Sequence, residues 1–111
     1  MMPDFGLAAT DIEKIVRVFF RYKDLDEVVL YGSRAKGNYR PGSDIDLTLK
    51  GDDLNLKTLN QISAELDDLL LPYRFDVSIY RQIENEDLID HIQRVGVTIY
   101  RSAEGQRRDE G

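Results

Sequence analysis

The sequence contains no cysteine and only one histidine among its 111 residues. The lack of cysteine excludes disulfide bonds, thiolate metal sites and cysteine nucleophiles. With a single histidine, neither a histidine-based zinc cluster nor a Ser-His-Asp triad is expected. Any metal ion in this protein should therefore be bound by oxygen ligands, which favours magnesium or manganese.

The chain also lacks long apolar runs and an excess of positive charge. No apolar segment approaches the ~20 residues needed to span a bilayer. The segment from Met1 to Thr10 has neither the basic region nor the apolar core of a signal peptide. We therefore expect a cytoplasmic protein that does not associate with membranes. Because phosphate contacts need a basic surface, the net charge of −6 argues against direct nucleic-acid binding.

Hydrophobic periodicity predicts helices and strands that alternate along a single domain. Helices are predicted over Thr10–Tyr22, Asn55–Leu70 and Glu86–Val95, and strands over Val28–Tyr31, Asp44–Lys50, Arg74–Tyr80 and Val97–Tyr100. The predicted fold class is α/β (α+β), with a small mixed sheet of about four strands flanked by helices. We assign 1–9 to a flexible N-terminus, 10–101 to the domain and 102–111 to a mobile tail.

Two helix-capping patterns are also present. Thr10 and Glu13 fit a capping box at the start of the first helix. Gly96 follows the third predicted helix directly and is interpreted as a left-handed C-terminal cap. Both patterns predict where the helices begin and end.

Three aspartates are expected to lie on exposed faces of neighbouring strands. Asp44 and Asp46 are two residues apart, so their side chains project from the same face of one strand. Asp76 occupies an outward position on the next predicted strand. If these strands pair in suitable register, three carboxylates converge. Such carboxylates repel one another, and they suit a hard divalent cation.

A glycine-containing basic loop precedes this acidic strand. Gly32 follows a buried strand and allows close approach of the backbone to a ligand. Ser33 opens what is predicted to be one turn of helix, where backbone amides favour a phosphate. Arg34 and Lys36 add positive charge, and no acidic residue occurs between Gly32 and Ser43. We therefore regard all five residues as candidate phosphate ligands of a magnesium–triphosphate site.

This pattern resembles the signature of the DNA polymerase β-type nucleotidyltransferase superfamily, in which Gly-Ser is followed after ten residues by Asp-x-Asp. The runs Gly-Ser-Arg-Ala-Lys-Gly and Gly-Ser-Asp-Ile-Asp-Leu resemble its minimal (MNT) branch. Members of that branch are commonly encoded beside HEPN-domain partners in toxin–antitoxin pairs. The resemblance extends from about Thr10 to Tyr100 and implies a polymerase β-like fold. The implied reaction is attack of a hydroxyl on the α-phosphate of a nucleoside triphosphate, with release of pyrophosphate.

The resemblance also implies roles for individual residues. Asp44 and Asp46 would bind two Mg²⁺ ions, or Mn²⁺, and Asp76 would bind only the ion that activates the acceptor hydroxyl. Ser33, together with Gly32, would hold the terminal phosphates of ATP. Larger relatives carry a second domain for the base and the acceptor. We therefore expect a partner protein or a homodimer interface to provide those contacts.

The leading functional interpretation is transfer of AMP from ATP to a tyrosine of a HEPN-type toxin, which would make this chain an antitoxin. One alternative is a catalytically silent module that neutralises its partner by contact. Another is nucleotidyl transfer to a small molecule. The single histidine, His91, lies on a predicted helix and is interpreted as an exposed or packing residue without a catalytic role.

Overall fold

The structure, a computed structural model, describes residues 4–103 of the chain. Helices and strands follow one another in the predicted order. The described residues form four helices, namely α1 Ala9–Phe19, α2 Gly32–Lys36, α3 Leu56–Asp68 and α4 Glu86–Val95. They also form four strands, namely β1 Glu27–Tyr31, β2 Ile45–Lys50, β3 Phe75–Ile79 and β4 Val97–Arg101. A short 3-10 helix, Tyr80–Gln82, follows β3.

The strands form one mixed sheet in the order β3-β2-β1-β4. Strand β1 pairs antiparallel with both β2 and β4, whereas β2 and β3 are parallel. A parallel pair cannot be joined by a tight hairpin, and α3 provides the crossover connection. The prediction of a small mixed sheet with flanking helices is confirmed.

The two faces of the sheet have different surroundings. One face forms the main core with α1 and α3, and its buried strand residues are Val28, Leu30, Ile45, Leu47, Leu49 and Ile79. Burial of each such side chain contributes about 1.5–3 kcal/mol. On the opposite face, Val29 and Tyr31 pack against Ile92 of α4. Helix α4 covers only part of this face, where Asp46 is half-buried and Asp76 is exposed.

The helix ends differ from their predicted caps in two places. Helix α1 begins at Ala9, and its N-cap Ala8 provides no side-chain hydrogen bond. Thr10 therefore lies inside the helix, so the capping-box prediction was wrong. Gly96 has an extended backbone with φ −62° and ψ 143°, so the predicted left-handed cap was also wrong. A Cβ at Gly96 would overlap the Ile92 carbonyl oxygen, which explains the glycine by close approach instead.

The N-terminal boundary also differs from the prediction. Phe5 and Leu7 are both 5% exposed and belong to the main core. The flexible segment assigned to 1–9 is therefore incorrect for these two residues, because their apolar side chains gain stability by burial. Residues 1–3 and most of the predicted mobile tail, 104–111, lie outside the described residues. None of the helices within residues 4–103 is both long enough and apolar enough to cross a membrane.

Candidate active site

Gly32 forms the junction between β1 and α2. Its backbone has a left-handed conformation, with φ +76°. A Cβ atom at this position would overlap Oδ2 of the Asp46 side chain. Glycine is therefore needed both for the positive φ and for the close approach of the turn to the carboxylate. The basic loop and the acidic strand, predicted as two parts of one site, are in direct contact here.

The carboxylates come from two adjacent strands. Asp46 on β2 is paired in register with Asp76 on β3, and on its other side with Tyr31 on β1. Neighbouring strands lie about 4.8 Å apart, and paired residues project from the same face of the sheet. The Asp46 and Asp76 carboxylates therefore stand side by side. Asp44 immediately precedes β2 and is exposed.

The pKa of the Asp46 carboxyl reflects this crowding. The pKa is raised from 3.8 to about 6, chiefly by burial and further by repulsion from Asp76 and then Asp44. The Arg34 guanidinium has the opposite effect and lowers the pKa. The ionised form of Asp46 is therefore disfavoured in the folded protein unless a cation offsets the neighbouring charges.

The carboxylates of Asp44, Asp46 and Asp76 fit a divalent cation by their charge and by their oxygen donors. Carboxylate oxygens are ligands that Mg²⁺ prefers, and a cation would offset the repulsion that raises the Asp46 pKa. Within residues 4–103, no three acidic or histidine side chains are gathered closely enough to form a complete metal cage. A site of this kind is suited to a Mg²⁺ ion that takes its remaining ligands from substrate phosphates and water.

Arg34, predicted to contact phosphate, has a different position in the structure. Its side chain is only 2% exposed. It donates hydrogen bonds of 3.1 Å and 2.8 Å from Nε and Nη2 to the Ser43 carbonyl, and one of 2.8 Å from Nη1 to the Phe5 carbonyl. The guanidinium also lies 5.4 Å from the ring centroid of Tyr39 and 5.3 Å from that of Tyr73. The side chain thus anchors the loop and the N-terminal segment.

This anchor links the two parts of the site. Arg34 lies on α2, and the carbonyl that it binds belongs to the peptide directly before Asp44. Arg34 therefore fixes the approach of the loop to β2. Its charge alone made this arginine a predicted phosphate ligand, but its burial depends on Tyr73 and Phe5, which are distant in sequence and gave no signal.

The other predicted phosphate ligands remain nearer the surface. Ser33 is half-buried in the first turn of α2, and Lys36 is exposed at its end. The Ser43 hydroxyl accepts a hydrogen bond of 2.8 Å from the backbone amide of Arg40. Ser43 thus stabilises the turn before Asp44.

His91 is a site residue that was not predicted from the sequence. Its Nε2 accepts a hydrogen bond of 3.0 Å from the Gly32 amide. Its ring lies 6.1 Å from that of Tyr31, with the two planes at 78°. The only sequence signal was its position on the α4 face that also carries Leu88, because the two residues are three apart.

The chain matches the model of a known protein family over most of its length. The family model described as "Polymerase beta, Nucleotidyltransferase" matches residues 13–105. This range includes the Gly32 turn and all three aspartates. The chain belongs to this family. The predicted resemblance to polymerase β-type nucleotidyltransferases is thereby confirmed.

Individual relatives of this nucleotidyltransferase agree with the assignment. A Methanocaldococcus jannaschii protein named as a "putative protein adenylyltransferase" is 31% identical over 83 residues, which cover 68% of this chain and 79% of the relative. A chain in a crystal structure of a toxin–antitoxin complex with AMP-PNP has a TM-score of 0.66 at 20% identity, covering 92% of this chain and 80% of that chain. A chain from a complex of a tri-AMPylated Shewanella oneidensis HEPN toxin with an MNT antitoxin has a TM-score of 0.64 at 19% identity, with coverage of 91% and 76%. The structural likenesses show a shared fold.

Proposed function

We propose that this nucleotidyltransferase transfers AMP from ATP to a protein hydroxyl in a magnesium-dependent reaction. The observation that carries the proposal is the contact of the Gly32 turn with Asp46, which in turn lies beside Asp76. A triphosphate at the turn and cations at the carboxylates would offset each other's charge. The name of the Methanocaldococcus jannaschii relative and the AMP-PNP in a structural neighbour support adenylyl transfer.

We propose residue roles that combine the family resemblance with the positions of these residues in the site. Asp44 and Asp46 would hold two Mg²⁺ ions, or Mn²⁺, and Asp76 would hold the ion nearer the acceptor. Bound Mg²⁺ supplies Lewis-acid stabilisation of the phosphates and makes a hydroxyl more acidic. Ser33 and free amides in the first turn of α2 would contact the terminal phosphates. Lys36 would add positive charge at the edge of the site.

The proposed step is an in-line displacement at the α-phosphorus of ATP. The acceptor oxygen forms a bond to that phosphorus, the bond to the pyrophosphate leaving group breaks, and the hydroxyl proton passes to solvent. The negative charges of Asp46 and Asp76 would by themselves disfavour a deprotonated acceptor, so loss of the hydroxyl proton would depend on cations held by these carboxylates. The proposed roles of the site residues are therefore to position the reactants and to stabilise charge electrostatically.

We further propose that the acceptor is a tyrosine of a HEPN-type helical toxin and that this chain acts as its antitoxin. Support comes from the solved complexes, in which chains of the same fold occur with HEPN toxins, one of them in tri-AMPylated form. The proposed partner would bring the acceptor hydroxyl to the exposed Asp76 side of the sheet.

The test is a transfer assay that combines the protein with a candidate HEPN-type helical partner, sought in the neighbouring reading frame. Incubation with Mg²⁺ and α-³²P-ATP should label the partner on tyrosine, whereas γ-³²P-ATP should leave it unlabelled because pyrophosphate is released. Omission of Mg²⁺ should abolish labelling. No label on any protein, combined with normal neutralisation of the partner's toxicity, would overturn the proposal.

A double variant separates catalysis from contact. Asp44→Asn combined with Asp46→Asn keeps the size of both side chains and removes their charge. We expect this variant to bind the partner but to neither label nor neutralise it. Full neutralisation by the double variant would instead establish a module that acts by contact. Labelling of a small molecule with no labelled protein would instead indicate nucleotidyl transfer to a small molecule.

A further inference from the structure

We propose that His91 is a positioning residue that holds the Gly32–Ser33 turn in the conformation that receives the triphosphate. This inference rests on the proposed function and names a further residue on which nucleotide binding depends. Its basis is the hydrogen bond of 3.0 Å from the Gly32 amide to His91 Nε2, which joins residues 59 apart in sequence.

The hydrogen bond requires a particular state of the imidazole. Because Nε2 accepts the Gly32 proton, the ring must be neutral and carry its own proton on Nδ1. The ring also packs edge-on against Tyr31, with centroids 6.1 Å apart. His91 thus contacts both residues of the β1–α2 junction, one by a hydrogen bond and the other by ring packing.

Gly32 is restrained from two directions. On one side Asp46 leaves no room for a Cβ, and on the other His91 holds the amide. Glycine has more conformational freedom than any other residue. Contacts from outside the turn are therefore needed to hold Gly32 at φ +76°. His91 supplies that restraint from α4, an element that contains none of the predicted phosphate or metal ligands.

The contact also changes the role assigned to Gly32. Its amide is already bound within the protein, so the next amides in the first turn of α2 and the Ser33 side chain remain for phosphate. His91 acts on the nucleotide through the turn. Loss of the His91 bond should therefore weaken Mg–ATP binding, with a smaller effect on the rate once the nucleotide is bound.

The experiment compares His91→Leu and His91→Gln with Leu88→Ala. Leucine fills the space without an acceptor, glutamine restores an acceptor oxygen, and Leu88→Ala removes α4 packing on the same side of the helix. Mg–ATP affinity is measured by calorimetry, and KM and kcat by adenylylation of the partner. Hydrogen exchange of the Gly32 amide in nucleotide-free protein reports the bond itself.

We expect His91→Leu to raise Kd and KM for Mg–ATP about fivefold to tenfold, to change kcat less than twofold, and to speed Gly32 exchange relative to amides of β1. His91→Gln should restore both properties, and Leu88→Ala should lower Tm without the change in affinity. Unchanged affinity in His91→Leu, failure of glutamine to rescue, or an equal loss in Leu88→Ala would overturn the role of His91. Absence of Mg–ATP binding in the wild-type protein would overturn the proposed function, and this role with it.

Discussion

Replacement of Asp46 by asparagine should stabilise the metal-free protein at neutral pH while it removes nucleotidyl transfer. The folded-state pKa of about 6 lies above the ordinary value of 3.8. The contribution of Asp46 to stability is therefore fully present below about pH 4 and is lost as the pH rises through about 6. At 1.36 kcal/mol for each pKa unit, ionisation costs the folded state about 3 kcal/mol. Because Asp46 is only half-buried, we expect a measured difference of about 1–2 kcal/mol.

The assay is urea unfolding of the wild-type and Asp46→Asn proteins at pH 4 and pH 7.5, without magnesium. At pH 4 the folded protein carries Asp46 in its neutral form, which asparagine resembles, so the free energies of unfolding should nearly coincide. At pH 7.5 the free energy of unfolding of the variant should exceed that of the wild-type protein by about 1–2 kcal/mol. Asp24→Asn, an exposed site with the same change of charge, is the matched control and should shift stability by less than about 0.5 kcal/mol.

Two results would contradict this reasoning. One is a variant no more stable than the wild-type protein at pH 7.5. The other is a gain that is equal at both pH values, because it would then have no link to ionisation. Loss of transfer activity together with a gain in stability would show that the carboxylate is retained for its chemistry at a cost to the fold.

The remaining predictions concern the turn, the loop anchor and ligand binding. Gly32→Ala should abolish Mg–ATP binding measured by calorimetry, because the added Cβ would displace the Asp46 side chain. Gly37 also has a positive φ, +87°, but there is open space around the position of an added Cβ. Gly37→Ala should therefore lower the free energy of unfolding by only about 1–2 kcal/mol and retain Mg–ATP binding. Equal effects of the two alanines would contradict the close approach at the site. Arg34→Lys should lower the free energy of unfolding by about 2–3 kcal/mol, because lysine cannot reproduce the forked contacts, and exposed Arg40→Lys should change it little. Mg²⁺ with ATP at about 100 times Kd should add about 2.7 kcal/mol in a thermal-shift assay, and a comparable shift with ATP alone, or in Asp46→Asn, would count against a shared metal–triphosphate site.

Local patterns in the sequence were sufficient for much of the fold. The alternation of Ile45, Leu47 and Leu49 with polar residues defines which face of β2 is buried, and all three are fully buried. The period of helix α4 gave its bounds, Glu86–Val95, without error. The capping box at Thr10 failed because a four-residue pattern does not reveal that the N-cap of α1 is Ala8, two residues earlier.

Residue type and spacing were enough to predict the chemistry of the candidate site, because they define which groups are able to bind a cation or a phosphate. Gly32, Asp44, Asp46 and Asp76 are recognisable in this way. Which of these groups lie close together depends on the packing of the strands, because the parallel register of β2 and β3 places Asp46 beside Asp76. The same is true of contacts between distant parts of the chain. Arg34 was predicted to bind phosphate, but it is buried and anchors the loop. The packing of α4 places His91 within hydrogen-bonding distance of the Gly32 amide. Periodicity describes one element at a time, whereas burial and hydrogen bonding between elements depend on how they pack.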